Sequence, residues 1–224
     1  MTLVVAIDGP SGVGKSTIGH ALAQRIDATF VDTGLMYRAL TLAALDRDTD
    51  LEDGTILGGL ASASLIEVER PRPDQADRLE TVLLDGRDVT LEVRVPRVDR
   101  AVSAVSRHAE VRDAMLGVQR SAALRGDVVM VGRDIGTVVL PDATLKVYLN
   151  AAAEVRAARR AAEMGAPDRT NAYLDEIRRR DTADSERDVA PLRVPPGALV
   201  LDTGEIGVNG CVDAIVDGLE AIGG

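Results

Sequence analysis

Residues 9 to 16, Gly-Pro-Ser-Gly-Val-Gly-Lys-Ser, set three glycines, one lysine and a closing hydroxyl directly behind the apolar run TLVVAI at 2 to 7. The spacing is G-x-x-x-x-G-K-[ST]. Glycines at those positions let the backbone turn its N–H groups inward around a phosphate chain, and a helix beginning at Lys15 adds the positive end of its dipole. Lys15 reaches terminal phosphates as a point charge, while Ser16 offers its hydroxyl to Mg²⁺. An ordinary strand-to-helix turn accounts for the glycines but for neither the lysine nor its register. The expected ligand is therefore a nucleoside triphosphate with Mg²⁺, held by Gly9, Pro10, Ser11, Gly12, Val13, Gly14, Lys15, Ser16 and Thr17, with Ser16 as the metal ligand.

A nucleotide loop does not by itself define a reaction. A GTP switch carries Asn-Lys-x-Asp to read its base and a transport ATPase carries Leu-Ser-Gly-Gly, and neither string occurs here. A small kinase remains, and it needs a second anionic site. Four stretches supply cations and hydrogen-bonding groups for one. VDTGLMYRAL delivers Thr33, Tyr37 and Arg38 after a strand, and VGRDIGT delivers Arg133 and Asp134 after another; the carboxyl ends of strands are where open α/β sheets bind ligands. In NAYLDEIRRRDTADSER, Tyr173, Ile177, Arg180, Asp184 and Arg187 recur at helical spacing, a stripe that begins apolar and ends charged. Arg112 and Ser103 come from the helical segment upstream. Each has a plainer reading: a solvated helix face with i,i+4 pairs for Arg178 to Arg180, a local surface pair for Arg133 and Asp134, and packing for Tyr37. Their joint appearance at strand ends favours the binding role.

The elements that position these residues alternate. TLVVAI reads as a buried strand, 15 to 27 as a helix, 28 to 32 as a strand and 35 to 48 as a helix. ASLIEVERP and TVLLDGRDVT read as two strands, which makes roughly 63 to 95 an insertion into the alternation. Residues 97 to 124 form one or two helices; 127 to 132 and 144 to 149 are strands, followed by two helices, a strand at 198 to 202 and a last helix at 206 to 222. This order predicts an α/β fold with a mostly parallel sheet covered on both faces.

Composition narrows the class. The net charge of −10 argues against a duplex nucleic-acid partner, whose binding requires many neutralised phosphates. No stretch is long and apolar enough for a membrane span, which predicts no membrane partner and a cytoplasmic location. Cys211 is the single cysteine and His20 and His108 the only histidines, too few for a metal cluster. Among 26 basic residues only Lys15 and Lys146 are lysines, so a lysine retained inside the glycine loop carries information. Nothing marks a partner surface, and a monomer is expected.

IDGPSGVGKST, DTGLMYRA, GRDIGTVVLPDA and RRRDTADSERDVAPL together resemble bacterial cytidylate kinase, in order along residues 4 to about 202. The resemblance implies one domain over 1–224 with a three-layer P-loop kinase fold: a central parallel sheet, a monophosphate-binding region at about 33–105 with inserted short antiparallel strands, and a short lid at about 151–169. It implies transfer of the ATP γ-phosphoryl group to CMP or dCMP, with Lys15, Arg133 and Arg187 as the catalytic set. Arg38, Arg133 and Arg187 would grip the acceptor phosphate, Arg180 and Asp184 would lie near its sugar, and Thr33, Ser103, Arg112 and Asp134 would surround the base, with Tyr37 in the same substrate set. Thr33 stands where the family pattern has serine, which keeps the hydroxyl. The lid matches weakly, and no role follows for Arg156, Arg159 or Arg160. The alternatives are a related kinase acting on another monophosphate or an alcohol, and a nucleotide-binding regulator without turnover.

Overall fold

The computed structural model describes residues 2–75, 78–124 and 126–223; residues 76 and 77 of the expected insertion lie outside them. Among the described residues, eight strands and eight helices alternate much as the sequence predicts. The main sheet has five parallel strands in the order β2-β6-β1-β7-β8, formed by β1 (Val4–Asp8), β2 (Thr29–Asp32), β6 (Val128–Gly132), β7 (Leu145–Asn150) and β8 (Leu199–Asp202). The chain divides into two units, Met1–Ala28 with Val129–Gly224, and Thr29–Val128.

In the first unit, β1 and β6 are buried almost throughout, as strands covered on both faces must be. Strand β7 alternates instead, with Leu145, Val147 and Leu149 buried and Lys146 and Tyr148 half-buried. The parallel register pairs Asp8 with Tyr148, so Gly9 emerges beside Leu149. Helix α1 (Lys15–Arg25) buries Ile18 and Leu22, four residues apart on one face, and packs on α8 (Thr203–Gly223), which buries Cys211 and Ile215. Helix α8 starts earlier than the expected 206 and is interrupted at Gly207, whose φ of 66° no helical residue adopts. Helices α6 (Ala153–Glu163) and α7 (Thr170–Glu186) pair through Ala157, Ala161, Tyr173 and Ile177, the apolar start of the predicted stripe.

The second unit is built on α2 (Thr33–Asp46), whose N-cap Asp32 accepts the Gly34 amide at 2.9 Å. Helices α4 (Pro96–Ser106) and α5 (Ala109–Ala123) resolve the long helical segment into two. The insertion holds three antiparallel strands rather than two, β3 (Ile66–Glu69), β4 (Thr81–Leu84) and β5 (Arg87–Asp88). The run TVLLDGRDVT breaks because Asp85 and Gly86 take φ of 51° and 79°, the positive pair that a two-residue hairpin turn demands. Helix α3 (Gly54–Ala63) was not expected, since GTILGGLASA carries three glycines and glycine disfavours helix interiors. Its close approach to α5 explains them: a Cβ on Gly58 would sit 2.7 Å from the Glu110 Cβ, and one on Gly54 2.6 Å from a Glu110 carboxylate oxygen.

Glu80, one residue before β4, is 1% exposed and accepts the Asp32 amide at 3.1 Å, with the Arg94 guanidinium 3.6 Å from its other oxygen. Burial, reinforced by the Asp32 charge, pushes this carboxyl from its ordinary 4.5 up to about 8 against the pull of Arg94 and the amide. The folded state therefore holds the proton more tightly than the unfolded chain. The stability this group confers is complete below its unfolded value and lost as pH rises through about 8, with a slope of at most about 1.4 kcal/mol per pH unit. Glu80→Gln keeps the acceptor and cannot ionise. Its thermal midpoint should gain on wild type as pH rises from 5 to 8, and parallel curves would refute the assignment.

Candidate active site

The glycine loop is shaped by its neighbours. Gly9 has a φ of 156°, and a Cβ there would lie 2.3 Å from the Leu149 carbonyl oxygen, so no other residue fits that position. Gly12 and Gly14 take φ of 73° and 92°, and Gly14 caps α1. Val13 is fully buried, while Ser11, Lys15 and Ser16 are half-buried and Gly12 and Thr17 exposed. The Lys15 ammonium donates to the Gly9 and Pro10 carbonyls at 2.8 and 2.7 Å, which fixes it across the mouth of the loop. Ser16 stands in the first turn of α1, where amides without helical partners and the dipole favour an anion.

Two residues that sequence reasoning left without a role brace this loop. The Arg156 guanidinium is buried; it donates to the Ala151 carbonyl at 3.0 Å, to the Ser11 carbonyl at 3.1 Å and to both Asp181 carboxylate oxygens at 3.1 and 2.7 Å. Thr203 donates its hydroxyl to the Val13 carbonyl at 3.0 Å and accepts there from Arg159 at 2.9 Å. Part of the 151–169 segment thus supports the loop, through contacts that helical spacing alone does not reveal.

The predicted charged residues of the first unit gather together. Arg133 donates through Nε to Asp184 at 2.7 Å and through Nη1 to the Gly9 carbonyl at 3.2 Å. Arg187 lies 3.7 Å from Asp134 and 3.8 Å from Asp184, with both of its carboxylate partners largely buried. Burial alone would raise Asp184, but the charges of Arg133, Arg180 and Arg187 and the Arg133 hydrogen bond outweigh it and hold the carboxyl below its ordinary value. Arg133 and Asp134 are not a surface pair with each other: Arg133 turns to Asp184. Arg178 does lie on an exposed face, but its partner is Glu154 at 2.7 Å rather than a neighbour on its own helix. Asp8, which the sequence marked only as the end of an apolar run, is fully buried and accepts the Ile135 and Gly136 amides, each at 2.7 Å. Burial pushes its carboxyl up to about 6; the two amides and Lys15 oppose the rise and the Asp134 charge adds to it.

In the second unit Tyr37 is buried and the Arg112 guanidinium lies 5.4 Å from its ring centroid while donating to the Ser106 carbonyl at 3.2 Å. Packing and a binding role for Tyr37 are thus compatible. Arg38 donates to Asp99 at 2.5 Å and to the Val93 carbonyl at 3.2 Å. Ser103 is exposed on α4 one helical turn beyond Asp99, and Thr33 is buried at the start of α2.

A glycine loop between the first strand and first helix of a parallel sheet, with a lysine across its mouth and arginines beside it, defines a P-loop kinase. The fold agrees with solved structures: a shikimate kinase from Bacteroides thetaiotaomicron superposes with a TM-score of 0.50 at 15% identity over 98% of this chain and 99% of that one, and an uncharacterized protein from Eubacterium ventriosum with a TM-score of 0.56 at 12% identity over 99% of each. The cytidylate kinase family profile matches residues 5–221. Relatives bearing that name include proteins of Exiguobacterium sibiricum, 45% identical over 95% of both chains, and of Rhodococcus jostii, 45% identical over 96% of this chain and 93% of the other. The chain belongs to the cytidylate kinase family.

Thr203→Val removes the donor to the Val13 carbonyl and the acceptor for Arg159 at a buried point behind the loop. A loss of about 1–3 kcal/mol in denaturant unfolding is expected from the groups left unpaired, with weaker ATP binding by calorimetric titration. Unaltered ATP affinity together with wild-type stability would show that the brace carries no weight.

Proposed function

We propose that this chain transfers the γ-phosphoryl group of ATP to CMP and dCMP, releasing ADP and CDP or dCDP. The observation that carries the reading is the sharing of the Gly9 carbonyl by Lys15 and Arg133, which ties the cation of the donor loop to an arginine assigned to the acceptor phosphate. Family membership supports the choice of acceptor.

An acceptor that is already a phosphate needs no strong general base. Rate enhancement comes from alignment and charge: Lys15 lies against the donor phosphates, and Arg133, Arg187 and Arg38 hold acceptor oxygens in fixed geometry through their planar forks. Arg180 and Asp184 serve the sugar. Thr33, Ser103, Arg112 and Asp134 surround the base, with Tyr37 holding the Arg112 guanidinium against its ring. Asp134 accepts the exocyclic amine of cytosine, whereas uracil would turn a carbonyl toward it; such a mismatch discriminates by as much as on the order of 10⁴.

Magnesium suits the donor set. Among the described residues no three His, Cys, Asp or Glu side chains gather into a metal cage. Mg²⁺ that keeps phosphate and water ligands needs little more than one protein hydroxyl, which Ser16 supplies. When bound it would neutralise charge on the phosphates.

Among the described residues no helix is long and apolar enough to cross a membrane, and the reading extends to a cytoplasmic monomer. Coupled ADP-release rates with CMP, dCMP, UMP, AMP and shikimate test the acceptor. CMP and dCMP should be fastest, and binding of CMP without turnover would point to a regulator instead. Asp134→Ala should lose its preference for CMP over UMP while ATP affinity holds; an unchanged acceptor ranking would overturn the base assignment.

A further inference from the structure

Asp8 ends β1 and directly precedes the loop, yet its carboxylate does not face the loop amides assigned to phosphate. Both oxygens point instead at the segment after β6, where the Ile135 and Gly136 amides meet them at 2.7 Å each. That segment is one turn of π-helix, Ile135–Val139, in which the Val138 and Val139 amides both return to the Asp134 carbonyl. A π-turn leaves its first amides without helical partners, as any helical start does, and here a buried carboxylate takes two of them. Space enforces the fit from the other side: a Cβ on Gly136 would lie 3.0 Å from Pro195 Cγ and 3.3 Å from Asp8 Oδ2.

The two residues immediately before the clamped amides are Arg133 and Asp134. Once the Ile135 and Gly136 amides are fixed, the backbone that carries those two side chains is constrained, because one soft dihedral separates the Asp134 Cα from the clamp and three separate the Arg133 Cα from it. We infer that Asp8 is a positioning residue for the acceptor side: its carboxylate sets the orientation of Arg133 and Asp134 through the Ile135 and Gly136 amides. The inference rests on the assignment of Arg133 and Asp134 to the acceptor made above. From that orientation Arg133 reaches both Asp184 and the Gly9 carbonyl. Displacements near 1 Å in such groups cost orders of magnitude in rate, so a support that is not itself in contact with substrate is expected to register in kinetics.

Asp8→Asn preserves shape and volume but can accept only one of the two amides, and it turns an NH₂ toward the other. The expected result is a rise of about tenfold or more in KM for CMP with a fall in kcat, the loss of one charge-assisted hydrogen bond, while KM for ATP stays within about twofold. A general loss of stability would move both substrates together. Gly136→Ala, which pushes the same turn from its opposite side, should shift KM for CMP in the same direction, and it keeps the question open should Asp8→Asn fold poorly by circular dichroism. Wild-type KM for CMP in a folded Asp8→Asn enzyme, or an equal rise in KM for ATP, overturns the inference. Asp134→Ala measured alongside separates the two levels: if its acceptor ranking changes while Asp8→Asn behaves as wild type, the positioning role falls and the base assignment stands, whereas an unchanged ranking removes the assignment on which the role depends.

Discussion

Two cations converge on one carbonyl oxygen. Lys15 and Arg133, separated by more than half the sequence, both donate to Gly9. That oxygen is fixed because Gly9 has nowhere to go: the parallel register of β1 and β7 sets it beside Leu149, whose own carbonyl occupies the space of a side chain. Strand pairing, loop conformation and the placement of both charges are thus one constraint. A residue with a Cβ at position 9 would displace the loop from β7 and would move the lysine and the arginine together.

The protein orients arginines with carboxylates. Arg38 is held by Asp99, Arg133 by Asp184, Arg156 by Asp181, and Arg187 lies against Asp134 and Asp184. A long cationic side chain left loose surrenders rotamer entropy on meeting its ligand, and a carboxylate partner removes much of that cost beforehand. The arrangement also reconciles a net charge of −10 with anionic substrates. Part of the acidic excess is spent locally, where it aims guanidinium groups rather than repelling phosphates.

The loop, the strand-helix alternation and the stripe from Tyr173 to Asp184 were legible because each follows a local rule: glycine positions, a period of two against 3.6, and side chains that recur on one helix face; Arg187, expected on the same stripe, falls just past the end of α7 on extended backbone. What escaped were contacts between segments far apart in the chain. Arg156 is one of several arginines on its helix, and only the fold brings it to Ser11 and Asp181. Thr203 looks like the residue after a strand, and Asp8 like the charge that ends one. Helix α3 escaped for the opposite reason: its glycines oppose the local rule, and what they permit, the approach of Glu110, depends on a partner about 50 residues away.

The break at Gly207 divides labour within the last helix. Thr203 and its turn are fastened to the loop through Val13 and to α6 through Arg159, whereas residues beyond the break bury Cys211 and Ile215 against the body of the fold. An unbroken helix would behave as a lever, transmitting any rotation of its far end to the Thr203 hydroxyl. The glycine joint thus lets the segment that carries the Thr203 hydroxyl and the segment that packs into the core each take its own axis.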